Sequence, residues 1–333
     1  MTQELINKIV KATGVQKNEL VLVHFWGEDE DIALMHMFSK AVAIHGASPL
    51  ELQQSRTVNY TKFAAVEHEF YAEKYFALFD AIDAVIDVFC YRPVQLDQKL
   101  DPDPMAFYRN YMAQIFKRLV QTERFSQIRL PTKQNAEESN LSPSDFEARM
   151  IAAYDIDYTQ MHKSAQDYVS RLQDKCELTI STPNGHEVHF ALSGRQWHMD
   201  AGEGDMPCGE VYIAPVEART HGEVIFKKLY AQDVGIFDNI VLSIKEGVIV
   251  HSNDEKLNDY FNKLEKAEKT VCELGFGINP NVTSTCGYTV LDEKASGTFH
   301  IAIGANCMFG GENDASNHVD FVGTSFTILS RPE

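Results

Sequence analysis

No Cys-x-x-Cys pair occurs among the six cysteines of this sequence, Cys90, Cys176, Cys208, Cys272, Cys286 and Cys307. Their scattered spacing excludes a cysteine-type zinc site and a small-scaffold disulfide framework, and implies reduced thiols. No stretch reaches about 18 uninterrupted apolar residues, and the opening MTQELINKIVKATGV lacks the charged segment, apolar run and small-residue cleavage site of a leader. A cytoplasmic protein with no membrane partner is therefore expected. Basic residues are few: 30 Lys and Arg stand against 48 Asp and Glu, a formal charge of -18. Without a Lys/Arg cluster there is no surface to neutralise a phosphate backbone, which excludes nucleic acid as a partner. No strand-like run leads into G-x-G-x-x-G or G-x-x-x-x-G-K-[ST], so no nucleotide site is indicated.

What remains is the composition of an ordinary globular protein, 44% hydrophobic and 23% charged. At roughly 150 residues per domain the chain is long enough for two. The first half alternates helical text (LINKIVKATG, DIALMHMFSKAVAIHG, HEFYAEKYFALFDAI, MAFYRNYMAQIFKRLVQ) with strand text (LVLVHFWG, PLELQ, AVIDVFCY, SQIRLP). That rhythm predicts an α/β domain with an open, mostly parallel sheet covered by helices. After an amphipathic helix in YTQMHKSAQDYVSRLQDK the text turns strand-rich, with Pro183-Asn184-Gly185 supplying hairpin turn chemistry. The expected division is an α/β scaffold domain over 1–175 and an α+β, strand-rich catalytic domain over 176–333.

The second half places polar ligands inside apolar strand text. In NHVDF, His318 and Asp320 are two apart and share one face of a strand, while Val319 and Phe321 take the other. In GTFHIAIGAN, His300 has Ala302 and Gly304 on its own face, which leaves room beside the imidazole. Two glutamates stand in similar company: Glu210 in MPCGEVYIAP and Glu273 in VCELGFGINPN. Glutamate is seldom buried unpaired. Three carboxylates and two neutral imidazoles carry a charge of -3, which two divalent cations and one hydroxide bring to zero. Such a set suits a two-metal hydrolase, which generates a nucleophile at neutral pH and holds a carbonyl oxygen.

In this order MPCGEVYIAP, ELGFGINPN, GTFHIAIG and NHVDF resemble the motifs of the thermophilic-type metalloaminopeptidases, the aminopeptidase T and S group or family M29, of which this chain looks like a divergent, short member. The resemblance implies that Glu210, Glu273, His300, His318 and Asp320 are dinuclear metal ligands, with Zn, Co or Mn as the ions. It further implies a small peptide or amide substrate, an α/β domain ahead of a catalytic domain, and a homodimer. Two positions depart from the family pattern. Gly209 replaces the first of two adjacent glutamates, and Cys307 replaces a tyrosine seven residues after the first histidine. Each departure removes a group that can serve acid-base or oxyanion chemistry.

Glu210 and Arg195 are the candidates for direct catalytic roles, Arg195 because its planar fork suits a carboxylate clamp; a structural salt bridge is the plainer reading of it. QWHMD contains another His-x-Asp, His198 and Asp200, read as a surface loop that can close over a substrate because Gly-rich acidic text follows it. Cys272 and Cys307 are read as buried structural thiols. His300, His318 and Asp320 alone also form a two-histidine, one-carboxylate set of the kind that holds non-haem Fe(II) in ring-cleaving dioxygenases of hydroxypyridines. A third reading is a metal-binding member without turnover.

Overall fold

The computed structural model of the chain describes residues 1–139, 141–231 and 234–329. Its strands are, in chain order, β1 (Leu20–Trp26), β2 (Ser48–Gln53), β3 (Ala84–Phe89), β4 (Arg124–Arg129), β5 (Glu177–Thr182), β6 (His186–Ala191), β7 (Trp197–Asp200), β8 (Asp205–Met206), β9 (Glu210–Ile213), β10 (His221–Ala231), β11 (Gly235–Lys245), β12 (Val248–Ser252), β13 (Val271–Gly277), β14 (Phe299–Gly304), β15 (His318–Gly323) and β16 (Thr327–Leu329). Two compact units emerge, one of residues 1–155 and 202–208, the other of 156–201 and 209 onward. Among the described residues no helix is long and apolar enough to cross a membrane.

The first unit carries a parallel sheet of order β2-β1-β3-β4-β8. Parallel neighbours need long crossovers, and here these carry helices, among them Ile32–Ile44 between β1 and β2 and Pro102–Leu119 between β3 and β4. β3 is buried along its whole length and β1 at all but its first residue, which explains their unbroken apolar text. HEFYAEKYFALFDAI forms two short helical pieces, Glu73–Phe76 and Ala77–Ala81, rather than one helix. The chain before them leaves the helical path so that Phe70 and Tyr71 join an aromatic cluster with Phe63 and Tyr111, Tyr71 stacking on Tyr111 at 4.2 Å.

Two polar devices sit inside this unit. His24 and Asp87 are neighbours on β1 and β3, fully buried, with Nδ1 2.9 Å from Oδ1. Trp26 Nε1 donates to the same Asp87 oxygen at 2.8 Å, and Gln54 and Asn59 extend the chain of contacts from His24 Nε2. Where the strand order reverses between β1 and β3, Glu28 accepts from Ser55 Oγ, Arg56 N and Tyr91 OH. A parallel sheet of this kind binds anionic ligands at that crevice, on a helix N-terminus. Here the chain's own carboxylate takes that place at the start of helix Arg56–Ala64.

The second unit holds two antiparallel sheets, β12-β11-β10-β6-β5-β16 and β15-β14-β13-β9-β7. The hairpin of β5 and β6 turns at Pro183-Asn184-Gly185, with Asn184 at φ 65°. The sheets bury their apolar faces together: Phe226 of β10 stacks on Phe299 of β14 and meets Phe321 of β15 edge-on. The division differs from the expected 175/176. Helix Tyr158–Ser170 joins the second unit because it packs on β7 and β9, with Tyr168 against Phe276. Residues 202–208 join the first, where β8 pairs with β4 and Tyr154 OH donates to the Met206 carbonyl.

Removing one partner of a buried polar contact leaves the other group unsatisfied, at a cost of about 1 to 3 kcal/mol. Asp87→Ala is expected to destabilise the chain by this order, read as a lowered urea midpoint, because it strands both His24 and the Trp26 N–H. An unchanged midpoint would show that the pair contributes nothing.

Candidate metal centre

The register of the second sheet fixes which side chains share a face. Residues directly opposite in an antiparallel pair point to the same side. Across the sheet, Asp200, Glu210 and Gly277 form one row; His198, Tyr212, Gly275 and His300 a second; Glu273, Ala302 and Asp320 a third; and Gly304 and His318 a fourth. All five expected ligands therefore lie on one face, and the apolar residues between them, such as Leu274, Phe276, Ile301 and Phe321, fill the opposite one. A bulge between Val271 and Glu273 re-aims β13, which brings Cys272 Sγ to 3.7 Å from His318 Nδ1. Small residues make the space: a Cβ on Gly275 would lie 2.0 Å from His300 Nε2.

Two clusters result, Glu210–Glu273–His300 and Glu273–His318–Asp320, each with its donor atoms within 4.8 Å of one another. Glu273 belongs to both. Its Oε1 is 3.1 Å from His300 Nε2 and its Oε2 is 3.4 Å from His318 Nε2. His300 Nε2 is also 3.3 Å from Glu210 Oε2, an oxygen that is buried and makes no hydrogen bond among the described residues. His318 Nε2 lies 3.6 Å from Asp320 Oδ1. His318 Nδ1 donates to the Ala305 carbonyl at 2.9 Å, which leaves Nε2 free of its proton in the neutral ring, as a metal-bound histidine requires. Oxygen and imidazole donors converging on two points, with a carboxylate between them and a buried oxygen that makes no hydrogen bond among the described residues, fit divalent transition-metal ions.

Electrostatics point the same way. Burial pushes the Glu273 carboxyl above its ordinary range, against the His300 hydrogen bond and charge. For His300 burial works downward, but the Glu273 bond and the Glu210 charge raise the imidazole to about 9. His318 is raised further, chiefly by Asp320. Burial opposes ionisation of Asp320, yet the His318 charge brings it down to about 2. The carboxylates thus draw both imidazoles toward positive charge.

Other expectations fare differently. Arg195 is not in either cluster: its guanidinium donates to Glu217 Oε2 at 2.8 Å and to the Gly310 carbonyl. Glu217 also accepts from Asn306 and the Glu312 N–H, so Arg195 braces the segment between β14 and β15, the structural salt bridge of its plainer reading. QWHMD is a strand and not a surface loop. Asp200 is buried opposite Glu210, and His198 stacks on Tyr212 with Nε2 3.1 Å from the Phe309 carbonyl. Cys272 is buried, its thiol pushed up to about 11 by desolvation, whereas Cys307 is exposed because it lies on the turn after β14. His300, His318 and Asp320 do not meet at one point, since each histidine belongs to its own cluster. Reading from the sequence missed Lys294, 1% exposed, with Nζ 2.5 Å from Glu210 Oε1, and Glu293 beside it. A hollow of about 980 Å³ lined by Cys176, Thr179, His189, Arg219 and His221 lies elsewhere in the unit, and no ligand residue borders it.

The model of the thermophilic metalloprotease family, M29, matches residues 4–326. The chain belongs to this family. Among curated proteins none matches in sequence. Solved structures do: wild-type AmpT from Thermus thermophilus is 16% identical, with a TM-score of 0.72 over 98% of this chain and 94% of that one. A 2,5-dihydroxypyridine dioxygenase from Pseudomonas putida KT2440 is 14% identical, with a TM-score of 0.63 over 98% and 93%. At such identities the likeness is one of fold. The departure at Gly209 has a backbone cause: φ is 123°, and a Cβ there would lie 2.7 Å from the Asn279 Cβ. This member of the M29 family has no room for a side chain at that position.

Gly275→Ala is expected to push the His300 imidazole aside and lower cation affinity at the Glu210–Glu273–His300 cluster by about 10- to 100-fold, with the fold kept. Elemental analysis after dialysis, beside circular dichroism, reads both. A cation takes histidine in its neutral form, so near pH 7 metal binding should release protons from His300 and His318 and tighten as pH rises toward about 9. The raised His300 stabilises the metal-free chain fully below about 6.5 and loses this as pH passes about 9. Metal-free melting temperature should fall across that window while the metal-loaded one does not. Calorimetry in buffers of different ionisation enthalpy counts the protons; none released would contradict this assignment.

Proposed function

We propose that the chain is a metal-dependent hydrolase that cleaves the N-terminal residue from a small peptide, or a comparable small amide, with two divalent cations, Zn, Co or Mn, held by Glu210, Glu273, His300, His318 and Asp320. The observation that carries this reading is the Glu273 carboxylate, which turns one oxygen toward each histidine and so can bridge two ions. Bound cations supply a nucleophile at neutral pH and polarisation of the scissile carbonyl. The chain's own residues set the rest. Asp320 and Glu210 offer the outer carboxylates of the two clusters, and the Ala305 carbonyl fixes the ring of His318. His318 is the exposed member of the set and marks the side from which a substrate arrives. Tyr212 shares the face with His300, and desolvation keeps its phenol protonated, suited to donate a hydrogen bond.

A second reading, mononuclear Fe(II) ring cleavage, draws on the fold shared with the dioxygenase. It ranks lower because the two-histidine, one-carboxylate set is divided between clusters. The test is metal content of protein purified without added metal, followed by rates on aminoacyl-amides and peptides and by oxygen uptake with hydroxylated pyridines. Two Zn, Co or Mn per chain with amide hydrolysis supports the hydrolase. In that case Glu273→Gln should lose both ions and lower the rate by about 100-fold or more. One Fe per chain with oxygen uptake would replace it by the second reading, and two ions with no turnover on the panel would leave a metal-binding protein.

A further inference from the structure

Lys294 has no part in the reading above, although it stands against a ligand. It lies between the short helix Thr289–Asp292 and β14, and its ammonium is 2.5 Å from Glu210 Oε1, 2.8 Å from Glu293 Oε1 and 3.8 Å from Asp200 Oδ2. A buried ammonium is tolerated only when paired, and this one is ringed by carboxylates. The contact divides Glu210. Oε1 is taken by the lysine, and only Oε2, buried and without a hydrogen bond among the described residues, faces His300 Nε2 at 3.3 Å. Glu210 is thereby restricted to a single-oxygen donor whose charge is already offset. The other cluster has no ammonium in contact with it: among the described residues the ion pairs of Glu273 and Asp320 are with histidine, and the Lys294 charge reaches Asp320 only from beyond ion-pair distance, as the last and weakest of the influences on it.

We propose that Lys294 is a fixed internal cation that makes the two halves of the centre unequal. Glu273–His318–Asp320 holds one divalent ion tightly, and Glu210–Glu273–His300 takes a second weakly and exchanges it. The inference rests on the two-cation reading. Like charges at short range repel strongly where water is scarce, so an ammonium on one oxygen of Glu210 opposes an ion on the other. The consequence is functional: the chain passes between a one-ion and a two-ion form as free metal varies, and its hydrolytic rate follows the second, weaker step.

Titration of the metal-free chain with Mn(II), followed by calorimetry and by the spin coupling of paired Mn(II), tests this. The wild-type chain should bind one Mn(II) tightly and a second about 30- to 100-fold more weakly, with coupling appearing only at the second. Lys294→Met should tighten the second step by about 10-fold or more and leave the first unchanged, while Lys294→Arg keeps the inequality. If Lys294→Met does not fold, the ligand variants decide: Glu210→Gln should retain a tight single ion, and Asp320→Asn a weak single ion. Two equal sites in the wild-type chain, or an unchanged second step in Lys294→Met, overturn the inequality and leave the two-cation reading standing. No Mn(II) binding by the wild-type chain overturns both.

Discussion

The second unit is organised around one buried carboxylate. Glu273 sits in the middle strand of its sheet, with β9 on one side and β14 on the other, where an ionised side chain is costly unless paired. The sheet meets that cost by alternation. On the face that Glu273 shares, its charge partners are His300 and His318, one on each carboxylate oxygen, and Gly275, Gly277, Ala302 and Gly304 leave room around them. On the opposite face Leu274, Phe276, Ile301 and Phe321 are buried, Phe321 against Phe226 of the other sheet and Phe276 against Tyr168 of helix Tyr158–Ser170. A shift of one residue in the register of β13 would exchange the two faces, carrying the carboxylate into the core and phenylalanine into the site. Stability and the ligand set are thus specified by the same pairing.

The parallel sheet of the first unit shows the reverse use of charge. At the crevice where such sheets take anionic ligands, Glu28 is bound by Ser55, Tyr91 and the Arg56 N–H, and Arg56 lies over the Tyr91 ring at 3.7 Å. These hydrogen bonds outweigh burial and hold Glu28 below the usual carboxylate range, so the plug is an anion at neutral pH. The text carries no phosphate-binding loop at this crevice, and in the fold an internal anion stands there instead.

Strand alternation made most of the centre legible. His318 and Asp320 share a face because they are two apart, and Ala302 and Gly304 announced the space beside His300 before any coordinates. Glu210 and Glu273 stood out as charges in apolar, glycine-rich runs. What stayed hidden was hidden for local reasons. QWHMD runs into AGEGD, so glycine and charge disguised a strand whose His198 and Asp200 belong to the ligand face. LDEKASG reads as a polar turn, and only the fold reveals that Glu293 and Lys294 turn inward. Arg195 had two readings because a fork that suits a substrate carboxylate suits Glu217 equally, and the plainer of them, a salt bridge, is the contact it makes. The joining of residues 202–208 to the first unit leaves no periodic signal at all, since a two-residue strand has none.

A frame that AmpT and a dioxygenase share at 16% and 14% identity to this chain cannot by itself assign chemistry. The donor set must do so. Three carboxylates and two imidazoles joined through one carboxylate are what the proposed two-cation reading asks for, whereas single-iron oxygen chemistry asks for two histidines on the same ion. Here the histidines are held apart by Glu273, one on each of its oxygens. Because Gly209 cannot carry a side chain, no carboxylate can be regained there by mutation alone. Under the hydrolase reading, proton transfer falls to groups already present, such as Asp200 and Tyr212 on the same face and Glu293, which joins them through Lys294. Lys294 ties Asp200 and Glu293 to Glu210, so under the proposed reading these carboxyl groups and the second cation respond to one another through a single ammonium.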